Sequence, residues 1–178
     1  LHEIRATKAT VFIGPLATIS EISKNQLIKE KLPLLSKTAL LMASPQVRNR
    51  ATIGGNICNA APSADNAPTL IAMGAEVNLV SLRGERRLPL DQFFKGPGLT
   101  AMEPGEILTY IFVPLPPPGS GTSYQHISAR SKVDISAVGV GVMLTMNGET
   151  CKEARIALGA VAPIPKRAEK TEGLLEGK

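Results

Sequence analysis

Aromatic side chains are scarce in this chain: 3% of 178 residues, with no tryptophan. Its core must therefore be aliphatic, and it has little to offer for stacking bases. The net charge of +5 invites a nucleic-acid partner, but the basic residues are interleaved with acids, as in KNQLIKEK and RGERR. Without aromatics beside them they do not make a base-stacking groove, and nucleic acid is excluded as a partner. Long apolar runs are missing too. The best, AVGVGVML from Ala137 to Leu144, falls well short of the roughly 18 residues that span a bilayer, so no membrane span is expected. Cysteine is limited to Cys58 and Cys151, without metal-ligand spacing, which predicts two free thiols in a reducing, cytoplasmic setting. His2 and His126 stand alone. There is no Ser-His-Asp arrangement and no paired-carboxylate motif, so no general acid, base or nucleophile is assigned.

What is present is ordinary globular composition, 43% hydrophobic and 20% charged, with well-placed punctuation. VFIG (Val11 to Gly14) reads as a short buried strand. Thr18-Ile-Ser-Glu21 has capping-box spacing and predicts a helix start. A second helix is expected from Leu34 to Ala43 after Pro33, and another start or turn at Ser44-Pro45. Ser63 is read as the cap of a helix from Ala64 to Met73, stopped by Gly74. EVNLVSL and RRLPL around Arg83-Gly84-Glu85 read as a hairpin, Asp91 to Phe94 as a helical turn, and GEILTYIFVP as a buried strand. PLPPPGSG, Pro114 to Gly121, is the clearest boundary. Beyond it, two strands flank Asn147-Gly148, a strong hairpin signal, and a last helix is expected from Lys166 to Glu176. Antiparallel strands with helices between them make the class α+β.

One stretch fits neither helix nor strand: RNRATIGGNICNAAPSADNAPTL, Arg48 to Leu70. Read as a long loop, its Gly54-Gly55 pair can take positive φ and let the backbone curl close to a ligand. Successive amides in such a curl form a nest for phosphate oxygens. Ser63 at a helix start adds donors for an anion. Asp65 would repel phosphate and suits polyol hydroxyls instead, while Arg48 and Arg50 would attract an anion from a distance. Together these describe a phosphate-plus-polyol site, such as one for a dinucleotide. The alternative is a Gly-Gly turn that simply reverses the chain. The G-x-G-x-x-G fingerprint of a parallel βαβ unit is not present.

The motifs Arg-x-x-Ala-Thr-Ile-Gly-Gly-Asn and Ala-Pro-Ser-Ala-Asp resemble the flavoprotein (medium) subunit of the molybdenum hydroxylases, the family of xanthine dehydrogenases and aerobic carbon monoxide dehydrogenases. The resemblance extends through IGPLATISEI, GEILTYIFVP, the Tyr124…Arg130…Asp134-Ile135 segment and ARIALGAVAPIPKRAE. It implies a PCMH-type FAD-binding subdomain over residues 1–117 and the start of a small α+β C-terminal domain over 118–178. FAD would lie extended, with Ala51, Thr52, Ile53, Gly54, Gly55 and Asn56 at its pyrophosphate and ribityl region and Ser63 close by. Asp65 would take polyol hydroxyls. Met42 would pack on the cofactor, Leu108 would line the adenine or flavin pocket, and Ile135 would screen the isoalloxazine. For Met42, Leu108 and Ile135 a plain core role is the alternative. His126 stands where the family often has lysine.

Family members also carry an Ala-Gly-Gly-Thr-type loop in an N-terminal subdomain. This chain opens Leu-His-Glu-Ile and is read as the middle of such a subunit, with that loop in another chain or segment. The resemblance further implies a large molybdopterin subunit and a small iron–sulfur subunit as partners. Electrons would run from iron–sulfur clusters through FAD to NAD or another acceptor. Two rival readings are a flavin-free assembly subunit of the same complex and a stand-alone binding module for a phosphorylated metabolite.

Overall fold

The computed structural model describes residues 1–128 and 136–178. Two strands, β1 (Ile4–Ala6) and β2 (Thr10–Ile13), lead into a run of short helices. These are α1 (Ile19–Lys24), α2 (Gln26–Lys31), α3 (Pro33–Leu41), α4 (Pro45–Arg48), α5 (Ile53–Cys58) and α6 (Asn66–Ala72). Next come β3 (Glu76–Ser81), β4 (Gly84–Pro89), α7 (Leu90–Phe93), the small hairpin β5 (Phe94–Gly96) and β6 (Leu99–Thr100), and β7 (Ile107–Pro114). The chain continues through β8 (Ser120–Ser128), β9 (Ser136–Asn147), β10 (Thr150–Gly159), β11 (Lys166–Arg167) and α8 (Glu169–Leu175). The main sheets run β1-β2-β7-β3-β4 and β11-β10-β9-β8. Their pairings are antiparallel throughout, and the α+β class is observed.

Local chemistry accounts for most element ends. At α1 the Thr18 amide donates to Glu21 Oε2 at 2.6 Å while the Glu21 amide donates to Thr18 Oγ1 at 3.1 Å, the reciprocal pair that its spacing predicts. Asn25 ends α1 in an extended conformation and caps α2 by accepting from the Ile28 amide at 3.1 Å. Helix α3 stops at Leu41, short of the expected Ala43. Met42 is extended and Ala43 has φ of 44°. Near the C-terminus Lys166 and Arg167 are not helical as expected. They pair with Leu158 and Ala157 as β11, and the helix begins at Glu169.

The first sheet has two unlike faces. Val11, Ile13, Val77, Leu79, Ile111 and Val113 are all fully buried in the aliphatic core. On the opposite side three of the six aromatics gather: Phe12 packs edge-on against Phe112 at 4.9 Å and against Tyr110 at 6.2 Å. Arginines cover them, with Arg5 3.8 Å above Phe12 and Arg87 3.7 Å above Phe112. Part of the basic surplus is thus spent over ring faces.

Helix α6 lies in the core, every residue of it buried, and packs on both β9 and β10. Glycine makes this approach possible. A Cβ on Gly141 would sit 2.8 Å from the Pro68 carbonyl oxygen, and one on Gly159 would sit 2.5 Å from Pro68 Cγ. Gly141, the second glycine of the GVG pattern that interrupts the best apolar run, is where strand passes beneath helix.

Candidate functional site

The glycine segment of the puzzling stretch forms a helix, α5, rather than a curl. Residues 51–54 run alongside 15–19: the Ile19 amide donates to Ala51 O at 2.9 Å, Ile53 to Ala17 O at 2.9 Å, and Gly54 to Pro15 O at 2.8 Å. Thr52 bridges Thr18 and caps α5, its hydroxyl accepting from the Gly55 amide at 3.0 Å. Asn56 completes the turn by donating to Thr52 O at 2.9 Å. The expected nest is therefore corrected. Neither Gly54 nor Gly55 takes positive φ, and the amides of residues 53 to 56 all donate within the chain. Glycine permits a left-handed curl but does not impose one; the cap and the alignment with 15–19 set a right-handed turn.

The two glycines have different roles. Gly54 is buried, and its Cβ would collide with the Pro15 side chain and lie 2.7 Å from that residue's carbonyl oxygen. Gly55 is exposed, and its Cβ would meet only Thr52 Oγ1, at 3.0 Å. Among the described residues nothing else excludes a side chain there, although glycine in a helix costs up to about 1 kcal/mol relative to alanine. Thr52, Gly55 and Asn56 fall at i, i+3 and i+4, one face of α5. That face presents bare backbone beside a hydroxyl and an amide side chain.

Met42 lies against the same helix. Its sulfur is 3.9 Å from Asn56 Nδ2 and 3.3 Å from Asn66 Nδ2, and Asn66 Nδ2 also reaches Asn56 Oδ1 at 3.4 Å. Asn66, at the start of α6, was not among the residues that the sequence picks out. It is fully buried, and its Oδ1 has no hydrogen-bond partner among the described residues. Nothing in its neighbours advertises this, because the contact joins positions ten and twenty-four residues apart.

The other candidates are dispersed. Ile53 and Leu108 are buried in the core, Leu108 opposite Leu79 in the first sheet, and Ala51 packs at its margin. Ser63 sits in a turn before α6. The helix starts at Asn66 with Asp65 in the cap position, so the expected Ser63 cap is corrected. Arg48 is not held out toward an anion: its Nη1 donates to the carbonyls of Met42 and Ala43, both at 2.7 Å, tying down the positive-φ turn. Ile135 lies outside the described residues. Asp65 Oδ1 accepts from Tyr124 Oη at 2.9 Å and from Ser136 Oγ at 2.6 Å. Burial, and then the neighbouring Asp65 charge, push the Tyr124 phenol well above the ordinary tyrosine range. Both cysteines are free, and burial raises the Cys58 thiol. Among the described residues no cluster of three or more His, Cys, Asp or Glu could hold a metal.

This fold corresponds to a recognised class. Residues 1–116 match the FAD binding domain in molybdopterin dehydrogenase, and residues 123–178 match the CO dehydrogenase flavoprotein C-terminal domain. The chain is 36% identical over 174 residues to the carbon monoxide dehydrogenase medium chain of Afipia carboxidovorans, covering 98% of this chain and 60% of that one. It is 34% identical to the xanthine dehydrogenase FAD-binding subunit of Escherichia coli O157:H7, covering 94% of this chain and 58% of that one. Among solved structures, carbon monoxide dehydrogenase from Hydrogenophaga pseudoflava, in a form lacking the Mo-pyranopterin moiety, superposes with a TM-score of 0.96. The two are 37% identical, over 99% of this chain and 61% of that one. Quinoline 2-oxidoreductase from Pseudomonas putida 86 superposes at 0.91, with 30% identity over 100% and 61% of the two chains. The chain belongs to the family of FAD-binding subunits of molybdenum hydroxylases, and it spans about three-fifths of the length of these relatives.

The residues present fit one side of FAD. The uncovered backbone at Gly55 is the kind of surface against which a flat or extended cofactor can lie. Thr52 and Asn56 beside it carry polar groups suited to oxygens.

Proposed function

We propose that this chain holds FAD and serves as the flavin station of a molybdenum-containing hydroxylase or dehydrogenase. The observation that carries the reading is Gly55: an exposed helical glycine that packing among the described residues does not demand. It is flanked on its own face by Thr52 and Asn56.

In this reading Gly55 lets the cofactor approach the α5 backbone. Thr52 spends one lone pair on its cap and keeps a hydroxyl hydrogen to donate. Asn56 is steadied by Met42 and Asn66, and Asp65 takes a hydroxyl of the cofactor's polyol. Since the amides of α5 are already spent, the diphosphate charge has to be met by groups beyond this helix. An Ala-Gly-Gly-Thr-type loop in another segment or chain would do so. Bound FAD supplies the redox chemistry, accepting electrons from iron–sulfur clusters and passing them to NAD or another acceptor. The partners are then a large molybdopterin subunit and a small iron–sulfur subunit. The protein's own contribution is to bind, orient and shield.

The test is the absorbance spectrum of the native complex with and without reducing substrate, followed by flavin extraction. A flavin band that bleaches with substrate, with FAD released on denaturation, is expected. A complex that releases no flavin on denaturation, with intact iron–sulfur signals, would overturn the proposal in favour of an assembly subunit.

A further inference from the structure

Asp65 occupies the cap position of α6 but makes no side-chain bond to that helix. An aspartate there ordinarily turns back to the amides of the first turn. This one reaches the other way, to the second sheet, where Tyr124 on β8 and Ser136 on β9 both donate to the same oxygen. Hydrogen bonds from neutral hydroxyls to a carboxylate are among the stronger ones in proteins, and two on one oxygen leave the side chain little rotational freedom. The second sheet makes room for the arrangement: a Cβ at Gly139 would stand 2.6 Å from the Tyr124 hydroxyl.

We infer that Tyr124 and Ser136 are positioning residues for the flavin site, fixing the Asp65 carboxylate in the orientation that accepts a cofactor hydroxyl. The inference rests on the FAD reading above. Its consequence is that FAD affinity depends on the second sheet remaining docked on α6. Two hydroxyls on Oδ1 fix the plane of the carboxylate. A ligand hydroxyl then meets an acceptor that is already oriented and need not be ordered on binding.

The experiment is a double-mutant cycle on the isolated complex, stripped of flavin and titrated with FAD, following quenching of flavin fluorescence. Tyr124→Phe keeps the ring and removes the donor; it should weaken FAD binding about tenfold, the loss of roughly one charge-assisted hydrogen bond's worth of orientation. In an Asp65→Ala background the same change should shift the dissociation constant less than about twofold. An unchanged dissociation constant for Tyr124→Phe, with or without a lower melting temperature, would overturn the inference, because a purely structural staple predicts that pattern. Equal weakening in both backgrounds would overturn it too, since the hydroxyl would then act without Asp65. Should Tyr124→Phe fail to fold, Ser136→Ala carries the same cycle with the same expectations. If the unaltered complex binds no FAD, the parent reading falls; if it binds FAD and the cycle shows no coupling, only this inference falls.

Discussion

The amide of Gly54 donates to the carbonyl of Pro15 at 2.8 Å, and a side chain on Gly54 would occupy the space that Pro15 fills. One residue further on, Gly55 faces outward, and among the described residues only the Thr52 hydroxyl lies near its missing Cβ. The pair therefore separates packing from binding. Gly54→Ala should destabilise the fold by about 1–3 kcal/mol, because backbone and proline ring cannot yield as a flexible side chain does. Gly55→Ala should leave the melting temperature close to that of the parent, helix propensity offsetting the small shift demanded of Thr52. Gly55→Val should lower the flavin-to-protein absorbance ratio of the purified complex. Full flavin occupancy in Gly55→Val would remove this helix face from the site.

A second prediction concerns acid stability. Hydrogen bonds from Arg86 to Glu106, at 2.6 and 2.8 Å, and from the Glu103 amide at 2.6 Å bring the Glu106 carboxyl down from its ordinary 4.5 to about 2. Its folded value lies below its unfolded one, so its stabilisation is present above pH 4.5 and is lost as pH falls toward 2. Glu21 contributes in the same direction, lowered chiefly by the Thr18 amide. The urea midpoint of the parent should fall between pH 5 and pH 3. Glu106→Gln should show a lower midpoint at neutral pH and a shallower fall across that interval. Identical pH profiles would show the pair to be inert.

Third, Glu172 holds the last helix to the second sheet. It is buried and accepts from the Ile156 amide at 2.7 Å and from Arg167 at 2.7 and 3.2 Å. Glu172→Ala removes the partner of both, and should cost about 3 kcal/mol, the low end for breaking a buried pair because Arg167 remains partly in water. Chemical denaturation monitored by far-ultraviolet circular dichroism would measure it. A loss below about 0.5 kcal/mol would place the pair with ordinary surface ion pairs.

Fourth, Gly141→Ala should force α6 away from β9. The new methyl would meet the Pro68 carbonyl oxygen at 2.8 Å and the Thr69 amide nitrogen at 3.1 Å, both backbone atoms. A penalty of about 1–3 kcal/mol is expected, read as a drop in melting temperature. An unchanged midpoint would mean that the helix seat is softer than this packing indicates.

Much of the architecture was legible where its cause is local. The Thr18–Glu21 box, the proline at the start of α3, the Gly74 stop with φ of 70° and the Asn147-Gly148 turn each act within a few residues. Their chemistry can be read without knowing what lies across the molecule. The family resemblance carried by ATIGGN and its companion motifs likewise named the cofactor class. Local reading went wrong where a distant partner decided. Lys166 and Arg167 look helical until β10 offers them an edge. Ser63 looks like a cap until the turn before α6 moves the start to Asn66. The Gly-Gly pair looks like a curl until residues 15–19 supply acceptors for its approach.

The resemblance of its motifs to a known family related this chain to flavin carriers, while composition, turn residues and capping patterns determined by themselves that it is an aliphatic-cored α+β protein. They act through the backbone preferences of single residues and their nearest neighbours. Only the tertiary structure decided which glycine is packed and which is bare, that Asn66 joins Met42 and Asn56, and that Asp65 is gripped from the second sheet. Those outcomes depend on steric and hydrogen-bond partners brought together across tens of residues, and a linear string does not record which of them meet.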